Sequence, residues 1–505
     1  MYECRHVKFQ KNSSTLTVKK IKLSKFILSL SAFMVIMDST IANVALPAIS
    51  GSIGASQSQS VWISASYVAA CALSVPLTRW LALFLGEKRL FLSSLLVFIL
   101  ASFGCALSSD LSVLIFFRVI QGFSAGPVIP LSQSILLKLY NDNGKSDALA
   151  IWSMAVVLAP IIGPIIGGMI TSYYSWNFVF LINIPLGGVA VLVGSKVMSN
   201  FKDKTQRMRF DFTGYLLICI LVTLLQYISF RKNSGEDDGY LVIISLVVLV
   251  LFLTSQIFRK KTLLDLSFLR NRNYAIGTIC IFLSYIINLG ALVPSTLFHI
   301  YNYDLVTIGL LCSPAGIAPL LFSRLSARMC KYIDSRFLIS LSFLIFSICY
   351  YWRAYYFSLG MTPVMFAVSQ FFIGVASTLF YIPLMERLLS DIPKHDLTAA
   401  TTLRQLCRTL STAFGAIITD NIWNDRLFFH TSRFSENIYP GALEYKSIFQ
   451  KLKLIGFTQE QALLYIREEI SLQSKILSLN DIYWVNTWMF LFLAGFTWLF
   501  TSPKK

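Results

Sequence analysis

Charge is scarce in this sequence. Only 13% of its 505 residues are Asp, Glu, Lys or Arg, 55% are hydrophobic and the mean hydropathy is +0.66, a balance outside the range of soluble globular domains. Histidines are few: His6, His299, His395 and His430 lie far apart, and there is no HExxH, so neither a metal centre nor a hydrolase constellation is expected. The nine cysteines form no CxxC pair and suggest no disulfide framework. A phosphate-binding loop is lacking too. Asn143-Gly144-Lys145-Ser146 ends like one, but the position five before Gly144 is Leu139 and no strand precedes it. No catalytic set marks an enzyme, no cofactor is expected, and uphill work would have to draw on an ion gradient. The basic N-terminus is polar for too long, and the apolar run after it lacks a small-residue cleavage site, so the first span is expected to stay.

What is present is apolar length. Runs of about 18 to 25 residues, long enough to cross hydrocarbon as helices, begin near residues 24, 61, 89, 112, 147, 176, 212, 239, 273, 306, 335, 363, 398 and 482. That predicts about fourteen spans in an all-α integral membrane protein. An even count puts both termini on one side. The N-terminal tail, Lys202 to Arg209, Arg259 to Arg272, Arg324 to Arg336 and Lys504-Lys505 share that side, which the excess of Lys and Arg marks as cytoplasmic. The net charge of +18 therefore reflects topology rather than nucleic-acid binding.

The expected organisation is a basic tail (1–23), a six-helix bundle (24–198), a linker with two extra helices (199–272), five helices of a second bundle (273–422), an external loop with an amphipathic helix (423–480) and a last helix with its cytoplasmic end (481–505). Within the external segment, Thr458 to Leu477 has the spacing of an amphipathic helix. Two half-domains of this kind place a substrate site near the midplane where they meet.

Asp38 is the costly residue. It sits about fourteen residues into its span, roughly 20 Å deep, where an aspartate is disfavoured by roughly 2.5 to 3.5 kcal/mol and usually serves a partner or a transport path. Desolvation disfavours its charged form and a nearby cation restores it, which suits a proton carrier; a packing carboxylate held by Ser or Asn is the alternative. Arg118 lies at a similar depth in span four, with Gln121 and Gly122 at spacings of three and four, and Gly122 with Gly126 gives a small-residue face. That arginine is either a tuner of the proton site or a structural clamp on backbone carbonyls. Span five places Ala159, Gly163 and Gly167 four apart and Pro160 and Pro164 four apart, fit for a hinge or seal and equally for ordinary packing. In span thirteen Arg404 and Arg408 share a face, and Glu386 with Arg387 lies near the end of span twelve. Pairing among them would make a polar site or cytoplasmic gate in the second half, against side chains that only snorkel.

MDSTIANVALPAI, LIFFRVIQGFSAGPVIPLSQS, APIIGPIIGG and WNFVFLINIPLG, in that order, resemble the fourteen-span drug:proton antiporter branch of the major facilitator superfamily over about residues 24 to 502. The resemblance implies two six-helix bundles plus two extra helices, alternating access, and export of hydrophobic or amphipathic toxic compounds in exchange for protons across a bacterial inner membrane. It also implies a periplasmic membrane-fusion adaptor and an outer-membrane channel as partners. Its motifs fall on Asp38, Asn43, Ala45 and Pro47 in span one; on Arg118, Gln121 and Gly122 in span four; on Pro160, Gly163, Pro164, Gly167 and Gly168 in span five; and on Asn183 and Pro185 in span six. The family's loop between spans two and three, of the form GxLaDrxGrr, survives here only as RWLALFLGEKR. Arg79 replaces its first Gly and Leu83 its Asp, which puts the usual cytoplasmic latch in question. From the residues alone, a proton-coupled transporter of one defined solute and a non-transporting envelope scaffold remain open.

Overall fold

In hydrocarbon a chain must satisfy its own backbone hydrogen bonds, and apolar runs of this length do so as helices. The computed structural model of the protein describes residues 11–140, 142–198, 205–206, 210–231, 239–258, 264–286, 300–301, 303, 305–358, 361–437 and 443–501, and among them there are helices and no strand. The first half runs through α1 (Lys11–Ile53), α2 (Gln57–Ser74), α3 (Thr78–Leu85), α4 (Glu87–Leu107), α5 (Leu111–Ala125), α6 (Val128–Leu139), α7 (Asp142–Tyr173), α8 (Phe178–Leu181) and α9 (Asn183–Val197). Then come α10 (Phe212–Arg231) and α11 (Gly239–Phe258). The second half follows as α12 (Arg272–Ile286), α13 (Leu305–Cys312), α14 (Pro314–Tyr332), α15 (Ser335–Tyr356), α16 (Pro363–Leu389), α17 (Leu397–Asn437), α18 (Leu443–Leu454) and α19 (Gln459–Phe496).

Several traverses are broken. Pro127 between α5 and α6, and Pro314 at the start of α14, lack the amide hydrogen that would continue the ladder. The α2–α3 pair bends by 59°. Ten spans are long and apolar enough to cross a membrane, eleven if that bent pair counts as one. Three further helices miss the mark for plain reasons: the apolar part of α10 is short, the described part of α12 ends at Ile286, and α17 is polar. With those three, the order of elements is compatible with fourteen traverses. Lys25, Lys138, Arg324 and Arg336 fall at one end of the molecule, called the basic end below. The basic segment Lys202 to Arg209 lies largely outside the described residues, and residues 259–263, 1–10 and 502–505 lie outside them.

The duplication that the sequence only hints at is plain in the packing. A Cβ on Gly122 of α5 would lie 2.2 Å from the Tyr67 carbonyl oxygen of α2, and one on Gly374 of α16 would lie 2.2 Å from the Ala315 carbonyl oxygen of α14. Likewise Gly163 of α7 abuts Thr40 of α1, and Gly415 of α17 abuts Ile286 of α12. The same pairs of traverses approach closely in both halves, and only glycine permits it. One hydrophobic core runs through both halves, from Ile27 and Phe91 to Phe343 and Phe490.

Between the halves α7 packs on α13, α14 and α16, α6 packs on α17, and α10 rests against α2 and α17. Asp211 holds α10 to α11: its carboxylate accepts from Gly214 N and from Gln256 Nε2, each at 2.9 Å.

The external segment differs from the expected loop with a separate amphipathic helix. The helix expected over Thr458 to Leu477 exists, capped by Thr458, but continues unbroken into the last traverse as α19, and α17 runs on likewise to Asn437. Residues 438–442 lie outside the described residues. At 1.5 Å per residue both helices are roughly 60 Å long, about twice the hydrocarbon thickness. Asp481 of α19 accepts from Arg426 Nε of α17 at 2.5 Å and lies 2.7 Å from His430 Nε2. A small core of Leu452, Ala462 and Ile466 joins α18 to α19.

Candidate functional site

Asp38 of α1 is buried, and four other helices supply its surroundings. Its Oδ2 accepts from Arg118 Nη1 of α5 at 2.7 Å. Its Oδ1 accepts from Gln121 Nε2 at 2.9 Å and from Asn183 Nδ2 of α9 at 2.5 Å. Arg118 Nη1 also donates to Gln121 Oε1 at 2.7 Å, and Arg118 Nε to the Ile63 carbonyl at 3.1 Å. Gln121 Nε2 and Asn183 Nδ2 reach Ser102 Oγ of α4 at 2.7 and 3.5 Å. The guanidinium lies 4.1 Å from the Tyr67 ring centroid, and Tyr67 Oη donates to the Val35 carbonyl at 3.1 Å.

Local sequence explains the convergence. Arg118 and Gln121 are one turn apart on α5, so both face α1. The break between α8 and α9 at Ile182 sets Asn183 at the first turn of α9, pointing at Asp38. Gly122 and Gly126 admit α2 closely enough for the Tyr67 ring to meet the guanidinium. Such a buried pair, with both carboxylate oxygens bonded, has two states. The ionised carboxylate accepts three hydrogen bonds and faces a cation; once protonated, it loses the ion pair and becomes a donor. Breaking a buried pair costs roughly 3–5 kcal/mol, so proton binding here forces the neighbours to rearrange.

The remaining motif residues divide by face. Gly163 and Gly167 press on Thr40 and Ile41, within one turn of Asp38, whereas a Cβ on Gly168 would meet nothing within 4 Å. Pro160 is exposed and Pro164 half-buried, and α7 is continuous through both. Asn43 and Pro47 lie above the network; Asn43 Oδ1 accepts from Ser64 Oγ at 2.5 Å, tying α1 to α2. Ser102 and Tyr67 escaped the sequence reading because a serine or tyrosine in an apolar run carries no signal of depth.

In the second half Arg404 is fully buried, and its Nη2 donates across the interface to Gln133 Oε1 of α6 at 2.7 Å. Arg408 lies 4.6 Å from the Tyr285 ring centroid. Glu386 is not part of this group, contrary to the expected pairing. It lies about one turn from the basic end of α16, while Arg404 and Arg408 lie about two and three turns inside α17, so their depths differ. Glu386 instead lines a cavity of about 180 Å³ between the halves, with Lys145, Leu149 and Leu389. Arg387 donates to Thr501 Oγ1 at 2.9 Å. The Asp420 side chain lies outside the described residues.

The altered loop is bonded across the halves by different residues. Glu87 accepts from Lys138 Nζ and from Thr398 Oγ1 of α17, and Ser134 Oγ lies 2.6 Å from Thr398 Oγ1. Thr401 Oγ1 donates to the Pro130 carbonyl at 3.2 Å, and Arg79 pairs with Asp265 at 3.2 Å. Both pairs are partly exposed, and pairs at such sites contribute about 0–1 kcal/mol each, so their number matters more than any one. Cys330 packs against Ala150, Ala327 and Ile382 across the same seam. In a chain keeping only that cysteine, Glu87→Ala is expected to speed maleimide labelling of Cys330 by up to about fivefold, the effect of weakening the seam by about 1 kcal/mol. An unchanged rate would mean that Glu87 does not hold the halves together.

Comparisons with known proteins agree with this architecture. The family model described as Major Facilitator Superfamily matches residues 28–416. The multidrug export protein EmrB of Escherichia coli (strain K12) is 39% identical over 483 residues, covering 94% of each chain. The fatty acid resistance protein FarB of Neisseria gonorrhoeae is 35% identical over 485 residues, covering 94% of this chain and 95% of its own. Among solved structures, the proton:xylose symporter XylE bound to 6-bromo-6-deoxy-D-glucose superposes with a TM-score of 0.63 at 12% identity, over 97% of both chains, a likeness of fold.

Proposed function

The chain belongs to the major facilitator superfamily, and from that footing we propose that it is a proton-driven multidrug exporter acting on hydrophobic or amphipathic toxic compounds. It is a transporter rather than an enzyme. The observation that carries the proton role is the buried Asp38–Arg118 pair, with every oxygen of the carboxylate bonded and the neighbouring glycines of α5 and α7 pressed on α2 and α1. Protonation of Asp38 removes the counter-charge of Arg118, and the guanidinium then shifts on Tyr67 and Gln121. Because α1, α2, α5 and α7 meet at glycine contacts, that shift moves helices and not only side chains.

The basic end faces the cytosol of an inner membrane, in keeping with the excess of Lys and Arg there. The halves are bonded at that end through Glu87, Thr398, Thr401 and Arg404, so the arrangement is one closed to the cytosol. The helices α17, α18 and α19 project on the other side, where Leu454, Ile455 and Leu464 are exposed. That surface suits a periplasmic adaptor of the EmrA kind, which would connect the pump to an outer-membrane channel such as TolC.

The test is export of an amphipathic dye from proteoliposomes under an imposed pH gradient. Gradient-dependent export that collapses when the gradient is discharged is expected. Export indifferent to the gradient would remove the proton, and no export of any dye would remove the pump.

A further inference from the structure

Two arginines in the seam between the halves, Arg404 fully buried and Arg408 half-buried, pair with no anion among the described residues. Arg404 is fully buried, yet its Nε and Nη1 have no hydrogen-bond partner; neither do Nη1 of Arg408 and Nε2 of Gln133. These four donor atoms belong to side chains that meet at one place. Arg404 reaches Gln133 directly, and both arginines lie beside the buried Tyr381 phenol. Trp152 closes one side, stacked on Tyr381 with ring centroids 6.1 Å apart and held by Ser132 at 3.0 Å. Neither arginine makes an ion pair with a described residue. The neighbouring segment 287–299, outside the described residues, contains no Asp or Glu. Asp420, further along the same helix, is about 18 Å from Arg408 in axial rise. The nearby unpartnered Gln405 Oε1 is an amide oxygen and cannot neutralise charge.

A buried guanidinium without a counter-charge is strongly unfavourable, and the same low-dielectric surroundings make any anion that reaches it bind firmly. Two planar cations with free donors, one of them beside a carboxamide donor, match the geometry of a carboxylate. We propose that Arg404 and Arg408, with Gln133, bind the anionic head of an amphipathic substrate, a carboxylate on an apolar body. The inference rests on the efflux reading and narrows it to weakly acidic amphiphiles at this site. Placement favours coupling: α17 packs on α2, the helix whose Tyr67 ring meets the Arg118 guanidinium. The helix that carries the head-group site therefore adjoins a helix of the proton site.

The experiment measures equilibrium binding of dodecanoate and of its neutral isostere dodecanamide to the full-length protein in nanodiscs, with empty nanodiscs subtracted. The wild type is expected to bind dodecanoate at least tenfold more tightly than dodecanamide. Arg404→Gln and Arg408→Gln are each expected to compress that ratio to threefold or less, while Arg404→Lys keeps more of it than Arg404→Gln. A wild-type ratio near one overturns the proposal without any variant. So does a ratio unchanged in both glutamine variants that elute as the wild type does. Dye export under the pH gradient is read separately, so loss of acid selectivity in a wild-type protein that still exports dye overturns this inference alone, whereas absence of all export overturns the efflux reading.

Discussion

Asp38→Asn is expected to reduce gradient-driven export at least a hundredfold, to the level of protein-free vesicles. Asparagine fills the same space but carries no titratable proton, and it presents an amide donor toward Arg118, Gln121 or Asn183, all of which donate to position 38 in the wild type. One of those hydrogen bonds must be lost and Arg118 is left buried without a counter-charge, a disruption of roughly 3–5 kcal/mol. The measurement is initial export rate in proteoliposomes with and without an imposed pH gradient, alongside elution profile and thermal midpoint. A variant that elutes normally, melts several degrees below wild type in one cooperative transition and no longer responds to the gradient is the expected result. One that exports as fast as wild type sinks the proton role of Asp38. Asp38→Glu separates charge from geometry: it restores a titratable group, and slow but gradient-dependent export is expected.

Gly122→Ala is expected to be the most damaging single-methyl addition in the first half. Its Cβ would lie 2.2 Å from the Tyr67 carbonyl oxygen and 2.9 Å from the carbonyl carbon, and backbone cannot swing aside as a side chain can. The helices α5 and α2 must separate, at a cost of about 1–3 kcal/mol or more. The move also pulls Arg118 from the Ile63 carbonyl and the Tyr67 ring. A thermal midpoint lowered by several degrees together with loss of export is expected. Gly168→Ala is the contrast, because nothing lies within 4 Å of its Cβ, and replacing a mid-helix glycine by alanine there is neutral or slightly stabilising. Equal effects of the two changes would refute the packing argument, since both glycines belong to motif stretches and differ only in the face they occupy.

Hydropathy made most of the fold legible, because spans must be long and apolar whatever their neighbours. Its weak point was α17, where the arginines and polar side chains of a functional helix dilute the signal. The external segment was misjudged as a loop for a related reason: polar helix and polar loop have similar composition, and only the continuity of α19 past Thr458 tells them apart. At the site, depth placed Asp38 and Arg118 at one level, since rise per residue is fixed. It could not show that Asn183 and Ser102 complete the shell, because which face a helix turns inward depends on packing. The loop between the second and third traverses gave the opposite lesson. Leu83 in place of the family's Asp suggests a lost latch, yet Glu87 is bonded across the seam to Thr398 and Arg79 to Asp265 of the linker.

The length of α17 has a mechanical consequence. No turn interrupts it between Thr398, which is bonded to the first half at the basic end, and His430, which is bonded to α19 far outside. A helix about 60 Å long behaves as a stiff rod, so a rocking of the second half by about 10° sweeps its outer tip through roughly 10 Å. Any rocking of the second half against the first would thereby be read out, magnified, as a displacement at the tip farthest from the basic end.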